Sequence, residues 1–265
     1  MLNDFEQLIH DAEQANFSGW DFTFLHERLI EDPLPWNYLH RIRDHISTAI
    51  AMLDLCTGGG ERLASLASLP RLSIATESYQ PNVQIASRRL GKLGAVVIHI
   101  DEQTQNAYGP SGDQNCPHPH RRLTFADSSF DLITCRHGYF SSEEVARLLQ
   151  PGGIFISQLV GGDNYPHLNS RLEGPHTVWT LLGGPNPPTL EDSGLDVFER
   201  REAKPRAVFK DVGAIVYYLK AVPWQIAGFD VERYRDRLRC LHEEMQNTGG
   251  LHTHYHRRFT VARKR

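Results

Sequence analysis

Residues 51 to 66 read AMLDLCTGGGERLASL, an apolar run that stops at three consecutive glycines and continues into helix-forming residues. A strand that breaks into glycines ahead of a helix brings backbone N–H groups close to a ligand, because glycine lacks a Cβ and tolerates positive φ. Three chemistries use such a turn, and the neighbouring residues separate them. A phosphate-binding loop needs G-x-x-x-x-G-K-[ST], and no Lys-Ser or Lys-Thr follows the glycines. A dinucleotide fingerprint needs G-x-G-x-x-G, whereas reading from Gly58 puts Leu63 at the third glycine position. Glu61 adds negative charge at the helix start, which opposes a phosphate there. What remains is a ligand that keeps adenosine and carries no phosphate.

Working outward, strand-like runs at 51–55, 72–77, 95–100, 130–135 and 153–159 alternate with helical patterns at 60–68, 81–91 and 141–149. That alternation predicts a doubly wound α/β domain with a mostly parallel sheet. Ahead of the first strand, Trp36, Leu39, Ile42 and Ile46 fall at helical spacing and predict an amphipathic helix that packs on the sheet. Beyond the fifth strand, residues 163–183 read as helical or irregular. Val231, Tyr234, Leu238, Leu241 and Met245 then form one stripe of a long helix over 230–246. The closing LHTHYHRRFTVARKR predicts a single final strand, on which His252, His254 and His256 would share a face. Three imidazoles on one face could bind zinc, but no nearby carboxylate or cysteine completes a set, and no metal is expected.

At this point the residues resemble the class I S-adenosylmethionine-dependent methyltransferases. That family's acidic-x-G-x-G-x-G motif aligns with Asp54-Leu-Cys56-Thr57-Gly58-Gly59-Gly60, with Cys56 in place of the first glycine. The family's acidic residue at the end of the next strand, which accepts both ribose hydroxyls, corresponds to Glu77 in LSIATESYQPN. A third segment, LTFADSSFDLITCRHGYFSSEEVARLLQPGGIFISQ, is similar to the fourth strand, its helix and the R-x-L-x-P-G-G turn, here Arg147 to Gly153. Together the three segments span roughly residues 50 to 160. The resemblance implies a Rossmann-like, seven-stranded sheet with helices on both faces, and S-adenosylmethionine as cofactor with S-adenosylhomocysteine as product. The cofactor-binding residues it implies are Asp54, Cys56, Thr57, Gly58, Gly60 and Glu77, with Ser78 or Tyr79 against the adenine. Asp101 or Glu102 would reach the adenine amino group.

Methyl transfer from a sulfonium is an in-line displacement with an activated leaving group, so the protein mainly aligns the nucleophile and excludes water. His137, just after the fourth strand of the pattern, stands where a general base would help an oxygen or nitrogen acceptor, and Arg136 beside it could orient that acceptor. Trp20, Tyr139, Gln158 and Asn164 are further candidates for acceptor contacts.

Composition narrows the partner. The 265 residues carry a formal net charge of -4, which gives no global attraction to a polyanion. A small-molecule acceptor is therefore expected rather than nucleic acid. Methylation of ribosomal RNA guanine, or cofactor binding without turnover, are the alternatives. Four cysteines, far apart and with no C-x-x-C pair, suit a reducing cytosol, and neither a signal peptide nor a membrane span is read. The domain reading is a single unit, 1–265. It comprises an N-terminal helical cap over 1–49, a cofactor-binding core over 50–160, substrate-side and C-terminal elements over 161–265, and a flexible insertion over 103–122. The sequence sets no oligomeric state.

Overall fold

A computed structural model describes residues 4–17, 20–100, 122–174 and 188–265. Asp101 and, apart from Arg122, the segment 103–122 lie outside the described residues, as do 175–187. The described strands are β1 Leu29–Glu31, β2 Ala51–Leu55, β3 Leu72–Glu77, β4 Val96–His99, β5 Phe130–Arg136, β6 Leu149–Val160, β7 Leu195–Ala203, β8 Arg206–Phe209, β9 Leu251–His254 and β10 Arg257–Lys264. The chain divides into two compact units.

The larger unit takes in the described residues of Trp36–Val160, Trp179–Glu202 and Arg257–Arg265. Its seven-stranded sheet runs β4-β3-β2-β5-β6-β10-β7. The pairs β3–β4, β2–β3, β2–β5 and β5–β6 are parallel, while β10 runs antiparallel to β6. Every residue of β2 is buried, as expected of a central strand covered on both faces. Alternation divides its side chains. Met52 joins Tyr38, Ile42, Leu132, Ile156 and Phe259 on one face, and Ala51, Leu53 and Leu55 join Ile133, Cys135 and Phe155 on the other. Asp131 fastens the N-terminal end of β2 by accepting from the backbone of Ile50 and Ala51 at 2.8 and 3.1 Å.

The chain leaves β2 for β3 and β4 on one side and returns to β5 on the other. The crevice outside the carboxyl ends of β2 and β5 is thus a topological switch point, where open α/β sheets bind ligands. Helix Tyr38–Ile46, capped by the Asn37 side chain on His40 N–H, packs on the Met52 face as expected. The helix after the glycines is shorter than its pattern, Glu61–Ala64, because Ala67 takes a left-handed φ of 66°. The last parallel strand begins earlier than expected, at Leu149. Pro151-Gly152-Gly153 form a bulge inside it, since Phe130 pairs with Leu149 while Leu132 already pairs with Ile154.

The smaller unit takes in the described residues of Met1–Pro35, Gly161–Val178 and Ala203–His256. It holds a three-stranded antiparallel sheet, β1-β8-β9, with helices Asp4–Gln14, Pro166–Arg171, Val212–Ala221 and Val231–Thr248. The expected stripe on the last of these is buried at all five positions. The single closing strand is corrected to two. Tyr255 N–H turns to the Pro205 carbonyl and His256 N–H to the Asn164 side chain, so β9 and β10 enter different sheets. His256 therefore leaves the strand, and of the three histidines His252 and His254 share a face of β9. His252 contacts the Thr248 carbonyl, His254 meets Asp163 at 2.9 Å, and His256 accepts from the Asp163 backbone. Among the described residues no helix is long and apolar enough to cross a membrane.

Candidate functional site

The glycine turn is built by left-handed backbone at Cys56, Gly58 and Gly60, with φ of 58°, 64° and 78°. Thr57 N–H donates to the Thr76 carbonyl at 2.9 Å, which ties the turn to the end of β3. Gly60 also packs closely, since a Cβ there would stand 2.9 Å from Leu90 Cγ. Glu61, the anion at the helix start, is paired with Arg89, whose guanidinium also donates to the Gly59 carbonyl.

Glu77 closes β3 with its side chain 4% exposed. One carboxylate oxygen accepts from Gly58 N–H at 2.6 Å, and the other from Ser78 N–H at 3.1 Å and Tyr79 N–H at 2.9 Å. Burial pushes its pKa up, and these three backbone donors pull against that rise. Asp54 is buried on the same face of the sheet and accepts from Thr134 Oγ1 at 2.6 Å. Burial raises its pKa to about 6; the hydroxyls of Thr134 and Thr57 oppose the rise, and the neighbouring Glu77 adds to it.

On the β5 side, register places Arg136 beside Gln158 of β6, and Phe259 of β10 beside Gln158 in turn. Trp36 Nε1 donates to Gln158 Oε1 at 2.9 Å, and Gln158 Nε2 lies 3.3 Å from His137 Nε2. His137 has a left-handed φ of 56° and is exposed, with part of its ring against the protein at Gln158. Surrounding protein, then the positive charges of Arg136, Arg257 and Arg62, hold its imidazolium pKa well below the ordinary range. Tyr139 exchanges backbone contacts with the Cys56 thiol, N–H to Sγ at 3.4 Å and Sγ to carbonyl at 3.5 Å. Burial pushes its phenol to about 12.

Asp54, Cys56, Thr57, Gly58, Gly60, Glu77, Ser78, Tyr79, Arg136, His137, Tyr139 and Gln158 thus all lie in the larger unit, around the carboxyl ends of β2, β3, β5 and β6. Trp20 and Asn164 belong to the smaller one. Trp20 stands edge-on to Trp224 and stacks on Phe22, and the Asn164 amide bonds Tyr218 Oη and His256 N–H.

Sequence reasoning missed three residues of this site. The Tyr38 hydroxyl is buried with Asp54 as an electrostatic neighbour, and burial drives its pKa well above the usual phenol value. Thr134 shares strand parity with Arg136 and pairs directly with Asp54, which its place two residues upstream could have signalled. Asn82, in the first turn of the helix after Glu77, is fully buried beside that carboxylate. Among the described residues the Tyr38 hydroxyl, the Thr57 hydroxyl and both polar atoms of the Asn82 amide are buried without a hydrogen bond of normal geometry. Each such group costs about 1 to 3 kcal/mol if left unmet. Two carboxylates, neutral hydroxyls and an amide around a glycine turn fit a ligand that offers ribose hydroxyls and an amino group.

No family model and no curated protein matches the sequence. Solved structures do resemble it. A Bacillus halodurans protein described as a candidate methyltransferase is 13% identical, with 85% of this chain and 98% of that one covered at a TM-score of 0.51. A functionally unknown protein from Deinococcus radiodurans is 14% identical, with 89% and 91% covered at a TM-score of 0.53. At these identities the likeness is one of fold. The sheet order, the glycine turn at the switch point and these neighbours agree: the chain has the fold of the class I S-adenosylmethionine-dependent methyltransferases.

Proposed function

We propose that the protein is an S-adenosylmethionine-dependent methyltransferase that moves a methyl group to an oxygen or nitrogen of a small-molecule acceptor. One observation carries this reading: the buried strand-end carboxylate of Glu77 faces the glycine turn and accepts its Gly58 N–H. A carboxylate has about four lone-pair sites, and three backbone donors leave capacity for a ribose hydroxyl. The cofactor, when bound, supplies a methyl group on a sulfonium whose leaving group is already activated.

The chain's own residues do the rest by binding and orientation. Glu77 holds a ribose hydroxyl through a charge-assisted bond. Gly58 and Gly60 let the backbone approach, with Cys56 and Thr57 lining the turn. Asp54 organises that turn and meets the cofactor's amino end indirectly. Ser78 or Tyr79 flanks the adenine. Arg136, His137, Tyr139 and Gln158 form the acceptor side, at the carboxyl ends of β5 and β6.

Calorimetric titration with S-adenosylhomocysteine and, separately, NAD tests the reading. Micromolar binding of the nucleoside with none of NAD is expected. Binding of NAD alone, or of neither, would overturn it. Transfer of a labelled methyl group from S-adenosylmethionine into a small-molecule extract would then identify the acceptor.

A further inference from the structure

A neutral imidazole carries its proton on one nitrogen, and what the other nitrogen meets decides which. In this site that decision can be traced through three side chains. An indole N–H donates only, so the Gln158 atom 2.9 Å from Trp36 Nε1 is the amide oxygen. The amide NH2 of Gln158 therefore faces His137, 3.3 Å from its Nε2. An amide NH2 donates and does not accept, so His137 Nε2 receives the bond and its proton sits on Nδ1.

The relay is held at both ends. Trp36 stacks on Phe259 at 5.7 Å, Gln158 is 4% exposed, and the His137 backbone N–H donates to the Gln158 carbonyl at 2.8 Å. Arg136 and Arg257, both on strands flanking Gln158, and Arg62 add positive charge around the ring, which disfavours an imidazolium.

We infer that His137 meets the methyl acceptor as a hydrogen-bond donor through Nδ1–H, with Trp36 and Gln158 as the positioning residues that set its tautomer. The inference rests on the methyltransferase reading and narrows it. A base at this position would have to take a proton on Nδ1, already protonated, or on Nε2, already committed to Gln158. The acceptor therefore arrives with its lone pair available, as a carboxylate or an unprotonated ring nitrogen, and not as an alcohol that must lose a proton to His137. No proton moves to the protein in the transfer step; the new bond forms from the acceptor lone pair to the methyl carbon as the sulfonium C–S bond breaks.

The test is nitrogen-15 NMR of the full chain labelled at histidine, with the His137 signals identified by their loss in His137→Gln. Expected are a protonated Nδ1 and an unprotonated Nε2 from about pH 6 to about 8, a range that spans the ordinary histidine pKa. Trp36→Phe, which frees the Gln158 amide to flip, and Gln158→Leu should both shift the ring toward the Nε2–H form. A wild-type proton on Nε2, an imidazolium at neutral pH, or a tautomer indifferent to both substitutions would overturn the assignment. S-adenosylhomocysteine is added to the same samples. Absence of any shift on its addition overturns the methyltransferase reading, whereas a wrong tautomer with the nucleoside bound overturns only the role given to His137.

Discussion

A β-carbon built on Gly138 would stand 2.3 Å from the Cβ of Cys56 and 2.5 Å from its Sγ, so the cysteine at the motif's first glycine position occupies the space that Gly138 leaves open. Gly138→Ala should therefore destabilise by about 1 to 3 kcal/mol through overpacking. Cys56→Gly in the same chain should restore most of that loss, as it removes both the clash and a side chain from a left-handed position. Urea unfolding of the two single variants and the double variant measures the coupling. Additive effects would mean that the two residues do not compete for one space.

Removing the Glu77 carboxylate should weaken S-adenosylhomocysteine binding by roughly tenfold or more, corresponding to about 1.5 to 3 kcal/mol for a charge-assisted bond. Glu77→Gln and Glu77→Ala are both informative in calorimetry. Unchanged affinity in the alanine variant would remove the ribose assignment.

Asp54 makes stability depend on pH in a definite sense. Its native pKa of about 6 lies above its ordinary 3.8, so between those values the native state holds a proton that the unfolded chain has lost. Stability should fall as pH rises through that window, by about 3 kcal/mol at 1.36 kcal/mol per unit, and stay lowered above it. Asp54→Asn should flatten the profile in part, the remainder of the same sign coming from Glu77, whose pKa is also raised. Parallel wild-type and variant profiles would show that Asp54 is not the titrating group.

The Tyr38 hydroxyl is buried without a hydrogen bond of normal geometry, with Thr134 as a polar neighbour, so Tyr38→Phe should leave the apo protein about as stable as before or raise its stability by up to about 1 kcal/mol. The same change should weaken S-adenosylhomocysteine binding severalfold if the hydroxyl is a ligand contact. Thermal unfolding with and without the nucleoside separates the two effects. A destabilised apo protein would mean that the hydroxyl is held by Thr134 and not left unmet.

Arg147, the arginine of the R-x-L-x-P-G-G segment, is a clamp. It pairs with Glu144 at 2.6 Å and Asp127 at 2.7 Å, and donates to the carbonyls of Phe125 at 2.8 Å and Leu123 at 3.1 Å. Arg147→Ala should cost about 2 to 4 kcal/mol in urea unfolding, since it takes both guanidinium bonds from the half-buried Glu144 and leaves it the Leu123 N–H. Arg147→Lys should recover little, because an ammonium cannot reach several directions with a planar fork. Full recovery by lysine would reduce the clamp to a single charge.

Much of the sheet was legible because its signals are local. AMLDL, LSIATE and FDLITC are short buried runs, and each became a strand within a residue of its expected bounds. The elements that went unread depend on distant partners. β1 and β8 are three and four residues long and, among the described residues, pair with each other or with β9. The break at Tyr255 follows from bonds to Pro205 and Asn164, which no periodicity encodes. The site divided in the same way. Asp54, the glycines and Glu77 sit in one contiguous motif and the strand after it. Tyr38 reaches Asp54 from a helix that sequence could assign only to core packing, and Asn82 looked like an ordinary residue of a helix's first turn.

The position of β10 bears on how this molecule is made. The strand lies inside the sheet, between β6 and β7, yet β7, β8 and β9 all come between it and β6 in sequence. Pairings of such long sequence separation form slowly, since a large loop must close before any contact rewards it. As the chain is synthesised, β6 is therefore expected to wait with an unpaired edge until Arg257–Lys264 arrives. That interval, in which Ile154 and Ile156 lack Phe259 and Val261 beside them, is when the nascent chain is most exposed to aggregation.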